Sequence, residues 1–266
     1  MPRIRLDQLL VERGLARSRA EAQSLLMAGG VTVPGTGTRA LKPGQLVAMD
    51  VDLVPVLGPR WASRGGGKLS AALDAFDVNP HDLVCIDAGA STGGFTDVLL
   101  ERGASRVYAI DVGRGQLIER LRTDPRVVVM DRTNLRTLQR LPEPIELATL
   151  DLSFISLSLV LPTVRRLLSL DARVVALVKP QFEAGREAVP RGGVVRDPAV
   201  HRSVLLAFGD AALGAGFTPS RVIRSPLAGS AGNAEFLALL EPVAADAEGA
   251  KAAWQTTTDA LFEASV

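Results

Sequence analysis

LVCIDAGASTGGFTD, at positions 83–97, is the segment around which the rest of the chain is organised. Four apolar residues lead into Asp87, small residues form a turn at 89–94, and a helix is expected to begin near Phe95. A strand, a glycine-rich turn and a helix in this order form the first βα unit of a doubly wound sheet, in which ligands bind beyond the carboxyl ends of the strands. The segment therefore predicts a ligand site at the turn.

The glycine spacing in this turn indicates the class of ligand. A dinucleotide-binding turn needs glycine at its first, third and sixth positions, because the third lets a pyrophosphate approach the backbone. These positions here hold Gly89, Ser91 and Gly94, so the middle glycine is missing. A nucleoside with a neutral tail, such as S-adenosylmethionine, is therefore favoured over a phosphate-bearing cofactor. A tight turn without a ligand is the alternative.

Five apolar runs beyond residue 82 each end in a polar residue, and helical segments separate them. Such runs of Val, Ile and Leu predict parallel strands buried on both faces. Right-handed crossovers then bring the polar residues to one edge of the sheet. These residues are Asp87, Asp111, Asp131, Asp151 and Lys179. Two further strands are predicted at 217–224 and 234–240, so we expect an α/β fold with a Rossmann-like sheet of seven mostly parallel strands. Helices are predicted near 69–76, 95–102, 114–122, 133–140, 157–168 and 199–213.

Each residue at this edge has an expected role toward a nucleoside cofactor. The small residues of the turn let a ligand lie against the backbone, and Asp111 stands where a carboxylate accepts hydrogen bonds from both ribose hydroxyls. Asp131 is expected to accept from the adenine amino group. Asp87 either approaches the charged end of the cofactor or ties the turn together, and we favour the turn. The candidate cofactor-binding residues are Asp87, Gly89, Ser91, Gly93, Gly94, Phe95, Asp111, Val112, Asp131 and Asp151.

Lysine is rare in this chain, which draws attention to two positions. Only four of the 30 cationic side chains are lysines, and two of these, Lys68 and Lys179, are expected at the mouth of the sheet. Arginine stays protonated and cannot act as a base, whereas lysine can lose its proton beside another cation. Both lysines are therefore candidates for a catalytic role.

Composition and charge limit the class of protein. The chain has 266 residues, 47% of them hydrophobic, so it can form one medium domain and one small one. The only cysteine is Cys85, and the chain has neither an apolar signal sequence at its start nor a run of 18 apolar residues. We expect a cytoplasmic protein that binds no metal and spans no membrane. Residues 1–42 carry seven basic and three acidic groups, which indicates a polyanionic partner.

The basic N-terminal segment has a recognisable pattern. Residues 3–26 are predicted to form two short helices, the second capped by Ser18 with Glu21 three residues later. A hairpin between 31–33 and 45–51 is expected to follow, and the arginines near the turn between the helices are expected to point outward. The segment resembles the S-four RNA-binding domain over residues 3–52, through Arg5-Leu6-Asp7, Leu9-Leu10, Gly14-Leu15, Ser18-Arg19, Ala22 and the glycine–valine pattern at 30–33.

This resemblance implies contacts with RNA phosphates that depend on salt and little on sequence. The candidate RNA-binding residues are Arg3, Arg5, Arg13, Arg17 and Arg19. The alternative is a solvated basic face on a helical hairpin. Glycine and proline at 53–67 oppose regular structure, and Trp61 is expected to pack between the two domains.

Five motifs together resemble the TlyA-type ribosomal RNA 2′-O-ribose methyltransferases, historically called hemolysin A, whose catalytic domain is FtsJ-like. The motifs are SRGGGKL around Lys68, DAGASTGGFTD, DLSFIS at Asp151, LVKPQFE at Lys179 and GNAEFL at Glu235. The resemblance covers residues 3–241 and implies a class I S-adenosylmethionine-dependent methyltransferase with the catalytic tetrad Lys68, Asp151, Lys179 and Glu235. The third glycine before Lys68 departs from the family, in which a larger apolar residue is common.

The resemblance also implies domains, partners and a reaction. A small α+β RNA-binding domain is expected over 1–58, a linker over 59–67, the methyltransferase domain over 68–243, and a helical or partly disordered tail over 244–266. The implied partners are ribosomal RNA or ribosomal subunits, with a cytidine ribose as the acceptor. The 2′-hydroxyl would attack the methyl group in line. Lys179 would either take its proton or stay charged and stabilise the developing alkoxide, and the sequence leaves both roles open.

The sequence also bears on three other functions. A non-catalytic RNA-binding assembly factor is the main alternative, although the intact tetrad and glycine turn argue against it. A membrane-lytic toxin, which the historical name suggests, has no support in a chain without a spanning segment. A dinucleotide oxidoreductase is disfavoured by Ser91 in the turn. The modified nucleotide, the ribosomal subunit and the oligomeric state cannot be deduced from the sequence.

Overall fold

The computed structural model describes residues 3–16, 18–27, 31–33, 42–55, 60–229, 231–243 and 246–263. The chain forms two compact units, and the boundary lies between Arg60 and Trp61. Each unit is described by itself. In the described part of the chain, no helix has the length and apolar character needed to cross a bilayer.

The first unit is a small α+β fold. Its elements are β1 (Arg3–Arg5), α1 (Leu6–Glu12), α2 (Arg19–Met27), β2 (Val31–Thr32), β3 (Leu46–Ala48) and β4 (Val54–Pro55). The Ser18 hydroxyl accepts a hydrogen bond from the Glu21 amide at 3.2 Å, which confirms the predicted cap. Leucines of α1 and small apolar residues of α2 form the buried core with the strands.

The predicted hairpin in this unit is wrong. Strand β1 pairs with β3 and β2 pairs with β4, both antiparallel, so the segments at 31–33 and 45–51 pair with other partners. The prediction failed because residues 3–5 form a strand and not the start of a helix, and this strand takes β3 as its partner. Exposed, half-buried and exposed residues alternate along Arg3–Arg5, which suits a short edge strand better than a helix. A three-residue strand beside a helix gives too little periodicity to be recognised in the sequence.

The second unit contains the predicted seven-stranded sheet. Its strands are β5 (Val84–Ala88), β6 (Arg106–Ile110), β7 (Val127–Met130), β8 (Ile145–Leu150), β9 (Leu168–Val178), β10 (Phe217–Arg224) and β11 (Phe236–Pro242). They lie in the order β10-β11-β9-β8-β5-β6-β7. The five strands β5 to β9 are parallel, and β10 and β11 are antiparallel. The prediction of a mostly parallel sheet is confirmed.

Helices cover both faces of this sheet. They are α3 (Gly65–Phe76), α4 (Gly94–Glu101), α5 (Glu119–Arg122), α6 (Leu161–Leu167), α7 (Pro180–Glu183), α8 (Pro198–Gly214) and α9 (Ala247–Glu263). Residues of α3 and α4 pack in one apolar cluster, and residues of α6 and α8 pack in the other. Helix α9 takes up most of the C-terminal tail, where the Trp254 indole donates a hydrogen bond to the Leu205 carbonyl at 2.8 Å.

Two predicted helices are shorter than expected. In the continuously described range 60–229, the segment 114–122 contains only the single turn α5, and 133–140 contains only the 3₁₀ turn Leu135–Thr137. Leu117, Leu121 and Leu135 are buried, so the apolar pattern is real, but a 3₁₀ turn and a short helix already bury these side chains.

The glycine triplet at 65–67 belongs to α3 and not to a linker. A Cβ atom on Gly66 would lie 2.6 Å from the side chain of Trp61. Glycine therefore allows the indole ring to cover the first turn of the helix. The Trp61 indole also donates to a Glu101 carboxylate oxygen at 2.7 Å, so the contacts described for this residue lie within the second unit. A run of glycines in a sequence does not show that close packing requires them. The residues 65–67 were therefore assigned to a linker, although they begin α3.

Asp87 ties the end of β5 to α4. Its side chain is fully buried, and its Oδ2 accepts hydrogen bonds from the backbone amide and the hydroxyl of Thr96 at 2.7 and 2.6 Å. Burial raises the pKa of Asp87 to about 7, against the Thr96 hydrogen bonds and with help from the charge of Asp151. Of the two roles expected for Asp87, these contacts therefore support the one of tying the turn together.

This environment predicts a pH-dependent stability. Because the pKa of Asp87 is higher in the folded state than its ordinary value of about 4, the folded state binds the proton more tightly. The contribution of Asp87 to the free energy of unfolding should therefore fall between about pH 4 and about pH 7, by up to about 1.4 kcal/mol per pH unit.

Asp87→Asn removes this titration. The stability of the variant relative to wild type should improve as pH rises across that window, whatever its pH-independent cost. Urea denaturation at several pH values measures the difference. A stability difference between the two proteins that stays constant with pH would contradict the assignment.

Candidate active site

Two adjoining cavities open at the carboxyl edge of the parallel strands. The first has a volume of about 380 Å³ and the second about 330 Å³. Gly89, Ser91, Asp151 and Ser153 line both, so the cavities are neighbours. All four residues of the predicted tetrad line the first cavity. Asp111 and Val112, expected near a cofactor, line the second.

The first cavity contains two lysine–carboxylate pairs. The Nζ atom of Lys179 lies 2.6 Å from Oδ1 of Asp151 and donates to the hydroxyl of Ser153 at 3.0 Å. The Nζ atom of Lys68 lies 2.5 Å from Oε2 of Glu235. Both lysines are largely buried, and a charge in such a place needs a close partner. The two pairs thus place hydrogen-bond donors of fixed position inside a space that a substrate can enter.

The sheet explains how residues so far apart in sequence meet. Asp151 and Lys179 directly follow the parallel neighbours β8 and β9, so both lie at the same edge. Glu235 directly precedes β11, which runs antiparallel to β9 with Phe236 opposite Val178. The start of β11 therefore lies at the edge where β9 ends. Lys68 reaches the same cavity from the first turns of α3.

The turn after β5 is held by Asp111. One carboxylate oxygen accepts from the Ser91 amide at 2.8 Å and the other from the Gly113 amide at 2.7 Å. Gly89 has φ +86°, and a Cβ atom there would overlap the carbonyl oxygen of Asp151. Glycine is therefore required at this position. Each oxygen of Asp111 can still accept another hydrogen bond, and the side chain lines the second cavity.

The other predicted cofactor residues fall into two groups: some line one of the cavities and some line neither. Gly94 and Phe95 line the first cavity, and Val112 lines the second. Asp87 and Gly93 do not belong to the described lining of either cavity. Gly93 packs closely against α5, since a Cβ atom there would collide with the side chain of Leu121.

Asp131 lies at the end of β7, as predicted, but outside the described lining of both cavities. Its carboxylate accepts from the Gly115 amide at 3.0 Å and from Arg122 at 3.2 Å, and hydrogen bonding from Gly115 holds the pKa of Asp131 below its usual range. Thr133 and Asn134 line the second cavity, whereas Asp131 is in the described lining of neither. A strand-end position fixes where the backbone lies but not which way the side chain turns, and here the carboxylate turns toward Gly115 and Arg122.

Several residues at the site were not singled out by the sequence. Ser63 and Arg64 line the first cavity, although both fell in the predicted linker. Phe154 borders the second cavity with 90% of its surface exposed and a positive φ of 63°. The motif DLSFIS contains this phenylalanine, but a sequence does not tell an exposed aromatic residue from a buried one.

Asn233 is a further residue that sequence reasoning missed. Its amide oxygen accepts from the Val195 backbone at 2.9 Å, and its amide nitrogen donates to the Gly193 carbonyl at 2.9 Å. Asn233 is buried and lies two residues before Glu235. The segment around Gly193 and Val195 is therefore anchored next to the tetrad.

In the first unit, the candidate RNA-binding arginines surround a buried carboxylate. Asp7 accepts two hydrogen bonds from Arg5, at 3.0 and 2.9 Å, one from Arg19 at 3.3 Å and one from Gln23 at 3.0 Å. The Arg5 contact lowers the pKa of Asp7 well below its usual range. Arg13 donates to the carbonyls of Met49 and Val51.

These contacts correct the expectation that the arginines are free to point outward. A fully buried carboxylate needs cationic partners, and β1 supplies Arg5 while α2 supplies Arg19. About half of the side chains of Arg5 and Arg19 remains exposed, so their outer N–H groups can still meet phosphate. Arg3 is exposed on β1. Arg17 lies outside the described residues.

Comparisons with known proteins agree with this geometry. The profile described as "FtsJ-like methyltransferase" matches residues 61–241, and the S4 domain profile matches residues 4–48. These matches confirm both resemblances drawn from the sequence. The sheet is also similar to that of a putative S-adenosylmethionine-dependent methyltransferase from Listeria monocytogenes, with a TM-score of 0.52 and 18% identity, covering 68% of this chain and all of that one.

Full-length relatives are similar across most of the chain. A protein of Mycobacterium tuberculosis named 16S/23S rRNA (cytidine-2′-O)-methyltransferase TlyA is 49% identical over 88% of both chains. A putative rRNA methyltransferase of Bacillus subtilis is 48% identical over 88% of this chain and 84% of its own length. A solved structure, titled as a putative hemolysin from Streptococcus thermophilus, has a TM-score of 0.70 and 40% identity, covering 100% of this chain and 98% of that one.

The Asp7 cluster predicts that a single carboxylate stabilises the first unit. Asp7→Ala leaves Arg5, Arg19 and Gln23 without their shared acceptor, so the thermal unfolding temperature of that unit should fall by at least several degrees. The exposed Glu12, on the same helix, provides the matched control as Glu12→Ala. Differential scanning calorimetry measures both variants, and equal small shifts for the two would refute the role of Asp7.

Proposed function

The chain belongs to the FtsJ-like methyltransferase family, and on this premise we propose that it transfers a methyl group from S-adenosylmethionine to a ribose 2′-hydroxyl of ribosomal RNA, with cytidine as the target nucleotide. The observation that carries the proposal is the pair of lysine–carboxylate contacts in a cavity that adjoins a second, nucleoside-sized one. The names of the M. tuberculosis and B. subtilis relatives support the substrate class. The proposal places the protein in the cytoplasm, with ribosomal subunits as its partners.

The second cavity fits a nucleoside cofactor. Asp111 offers carboxylate oxygens to ribose hydroxyls, and Leu152 and Ile155 supply apolar walls for a base. Asn134 provides an amide at the same wall. When bound, S-adenosylmethionine supplies an electrophilic methyl group. The shared residues Gly89, Ser91 and Ser153 would face its reactive end, because they border both cavities.

Lys179 is the residue that we assign to the attacking hydroxyl. Its ammonium group is fixed by Asp151 and Ser153, and it can donate a further hydrogen bond to an oxygen in the cavity. The close contact with the Asp151 carboxylate supports the second of the two roles left open by the sequence, in which Lys179 stays charged. A fixed cation near the oxygen stabilises the negative charge that develops during attack. The bond between oxygen and the methyl group would form as the bond between sulfur and the methyl group breaks, and the hydroxyl proton would leave to water in the open cavity.

Lys68 and Glu235 complete the wall of the first cavity. Their 2.5 Å contact holds the Lys68 ammonium group on the side of α3, while Lys179 lies on the side of the sheet. A ribose between the two lysines would be oriented by hydrogen bonds from both. Alignment of the hydroxyl with the methyl group then accounts for a large part of the rate enhancement.

Phe154 provides a surface for the base of the target nucleotide. Phe154 is 90% exposed and stands at the rim, in the loop that begins with Asp151. The centroid of its ring lies 5.0 Å from the centroid of the Phe182 ring. A phenylalanine with positive φ is strained, and such strain persists mainly where function requires it. Aromatic faces stack with unpaired RNA bases, which is how proteins hold single nucleotides of RNA.

The direct test is methylation of purified ribosomal subunits. The enzyme is incubated with labelled S-adenosylmethionine and either small or large subunits, and the RNA is digested to nucleosides. Label in 2′-O-methylcytidine, from one subunit or both, is the expected result. Tight binding to subunits without incorporation of label would instead favour the non-catalytic assembly factor.

Removing Lys179 should separate chemistry from cofactor binding. Lys179→Ala is expected to lower the turnover number about 100-fold or more, because the developing charge loses its fixed cation. The dissociation constant for S-adenosylmethionine, measured by calorimetry, should stay within a few-fold of wild type. Lys251→Ala is the control, since Lys251 lies on α9 and pairs with Asp210. Near-normal turnover in Lys179→Ala would refute the assignment.

Removing the Phe154 ring should affect the RNA substrate. Phe154→Ala is expected to lower kcat/KM for ribosomal subunits roughly tenfold, the size of one base–aromatic contact. Cofactor affinity should fall by a smaller factor than kcat/KM, because Phe154 borders the cofactor cavity with 90% of its surface exposed, and Phe154→Tyr should retain most of the activity. Leu170→Ala, which truncates another exposed apolar residue at the start of β9, is the control. A loss that is equal in Phe154→Ala and Leu170→Ala would contradict base stacking.

A further inference from the structure

Two segments border the site, and one carboxylate joins them. The first is the loop at 151–157, which follows β8 and carries Phe154; the second is α7, which follows Lys179. Glu183, the last residue of α7, accepts a hydrogen bond from the Ser156 hydroxyl at 2.6 Å and another from the Leu157 backbone amide at 2.8 Å. Each contact uses a different carboxylate oxygen.

We propose that Glu183 is a positioning residue that holds the 151–157 loop, and with it Phe154, at a fixed place relative to Lys179. The inference rests on the proposed function in one respect, namely that a target base meets Phe154. Among the described contacts, the Glu183 side chain bonds Ser156 and Leu157 but no side chain of the tetrad, and Glu183 is not in the lining of either cavity, so its effect would pass through the loop.

The geometry makes α7 a rigid spacer between Lys179 and the loop. The Glu183 amide donates to the Lys179 carbonyl at 3.2 Å, and the Phe182 amide donates to the same carbonyl at 2.9 Å. The position of the Glu183 carboxylate is therefore tied to the backbone of Lys179. The near end of the loop is tied to the same residue, because the Lys179 ammonium group contacts Asp151 and Ser153.

The loop is thus held at both ends, with Phe154 between the two attachments. At the near end the Lys179 side chain binds it, and at the far end Glu183 does. Between them the exposed and strained Phe154 makes a ring contact with Phe182 of α7. A strained residue keeps its conformation only while its surroundings enforce it. Release of the far end should therefore let Phe154 move relative to Lys179.

The environment of Glu183 fits this role. The residue is half-buried, and burial raises the pKa of Glu183 above its usual range, whereas the contacts from Ser156 and Leu157 lower it. Hydrogen bonds from a hydroxyl and an amide stabilise the carboxylate. Replacement by glutamine can keep both bonds, since the amide oxygen can accept from Leu157 while the amide nitrogen donates to the Ser156 hydroxyl.

The first experiment compares three variants in the subunit methylation assay. Glu183→Ala should lower kcat/KM for ribosomal subunits roughly tenfold, while the dissociation constant for S-adenosylmethionine should rise by a smaller factor, because Asp111, Val112 and Asn134 line the cofactor cavity from outside the loop. Glu183→Gln should retain at least about a third of the wild-type value, because the hydrogen bonds can persist. The control is Glu187→Ala, which removes an exposed glutamate four residues further along. An alanine variant as active as the Glu187 control would overturn the proposal.

A double-mutant cycle distinguishes positioning from a general structural effect. If Glu183 acts through Phe154, the alanine substitution at Glu183 should reduce kcat/KM by less than about twofold in a Phe154→Ala background. Losses that multiply fully in the double variant would mean that Glu183 supports the fold independently of Phe154. Ser156→Ala, which removes one of the two hydrogen bonds, should give a smaller loss in the same direction.

Hydrogen exchange tests the contact without any substrate. Peptides covering 152–157 should exchange faster in Glu183→Ala than in wild type, whereas those covering β5 should be unchanged. Unchanged exchange in the loop would overturn the positioning role. If wild-type enzyme methylates no RNA, the proposed function fails, and the exchange result still decides whether Glu183 holds the loop.

Discussion

The ion pair between Lys179 and Asp151 is the contact on which the site depends. It joins the ends of β8 and β9, which are parallel neighbours with Leu150 opposite Ala176. Because parallel strands end at the same edge, side chains just beyond them meet without any long loop. The pair then fixes the first residue of the 151–157 loop and the residue before α7. The shape of both cavities follows from where these two segments begin.

Much of this arrangement could be predicted from the sequence, because it follows from the sheet. The apolar runs ending in Asp111, Asp151 and Lys179 were enough to place these residues at one edge. Glu235 is different, since its position depends on the antiparallel direction of β11, and only the family resemblance indicated it. Asp131 shows the limit of the strand-end rule: the strand was correct, yet its carboxylate turns toward Gly115 and Arg122.

Other features depend on packing that a single sequence does not reveal. The glycines at 65–67 look like a linker until the Trp61 ring is placed on Gly66. The arginines of the first unit look like free cations until Asp7 is found buried among them. Phe154 looks like a core residue until its exposure is known. In each case the missing information is a contact between residues that no local periodicity connects.

The two lysine–carboxylate pairs also bear on the choice between an enzyme and a binding protein. A buried ion pair contributes little stability compared with well-packed apolar residues, so its presence calls for another reason. Groups of this kind, gathered in a cavity beside a ligand-binding turn, are typical of active sites. A protein that only binds RNA would gain nothing from keeping them there.

The most direct measurement is a crystal structure of the enzyme with S-adenosylhomocysteine, the product that remains after methyl transfer. The nucleoside should occupy the cavity lined by Asp111, Val112 and Asn134, with its sulfur atom pointing into the adjoining cavity that holds Lys179. A nucleoside bound elsewhere, or a sulfur atom pointing away from both lysines, would contradict a single site built from the two cavities.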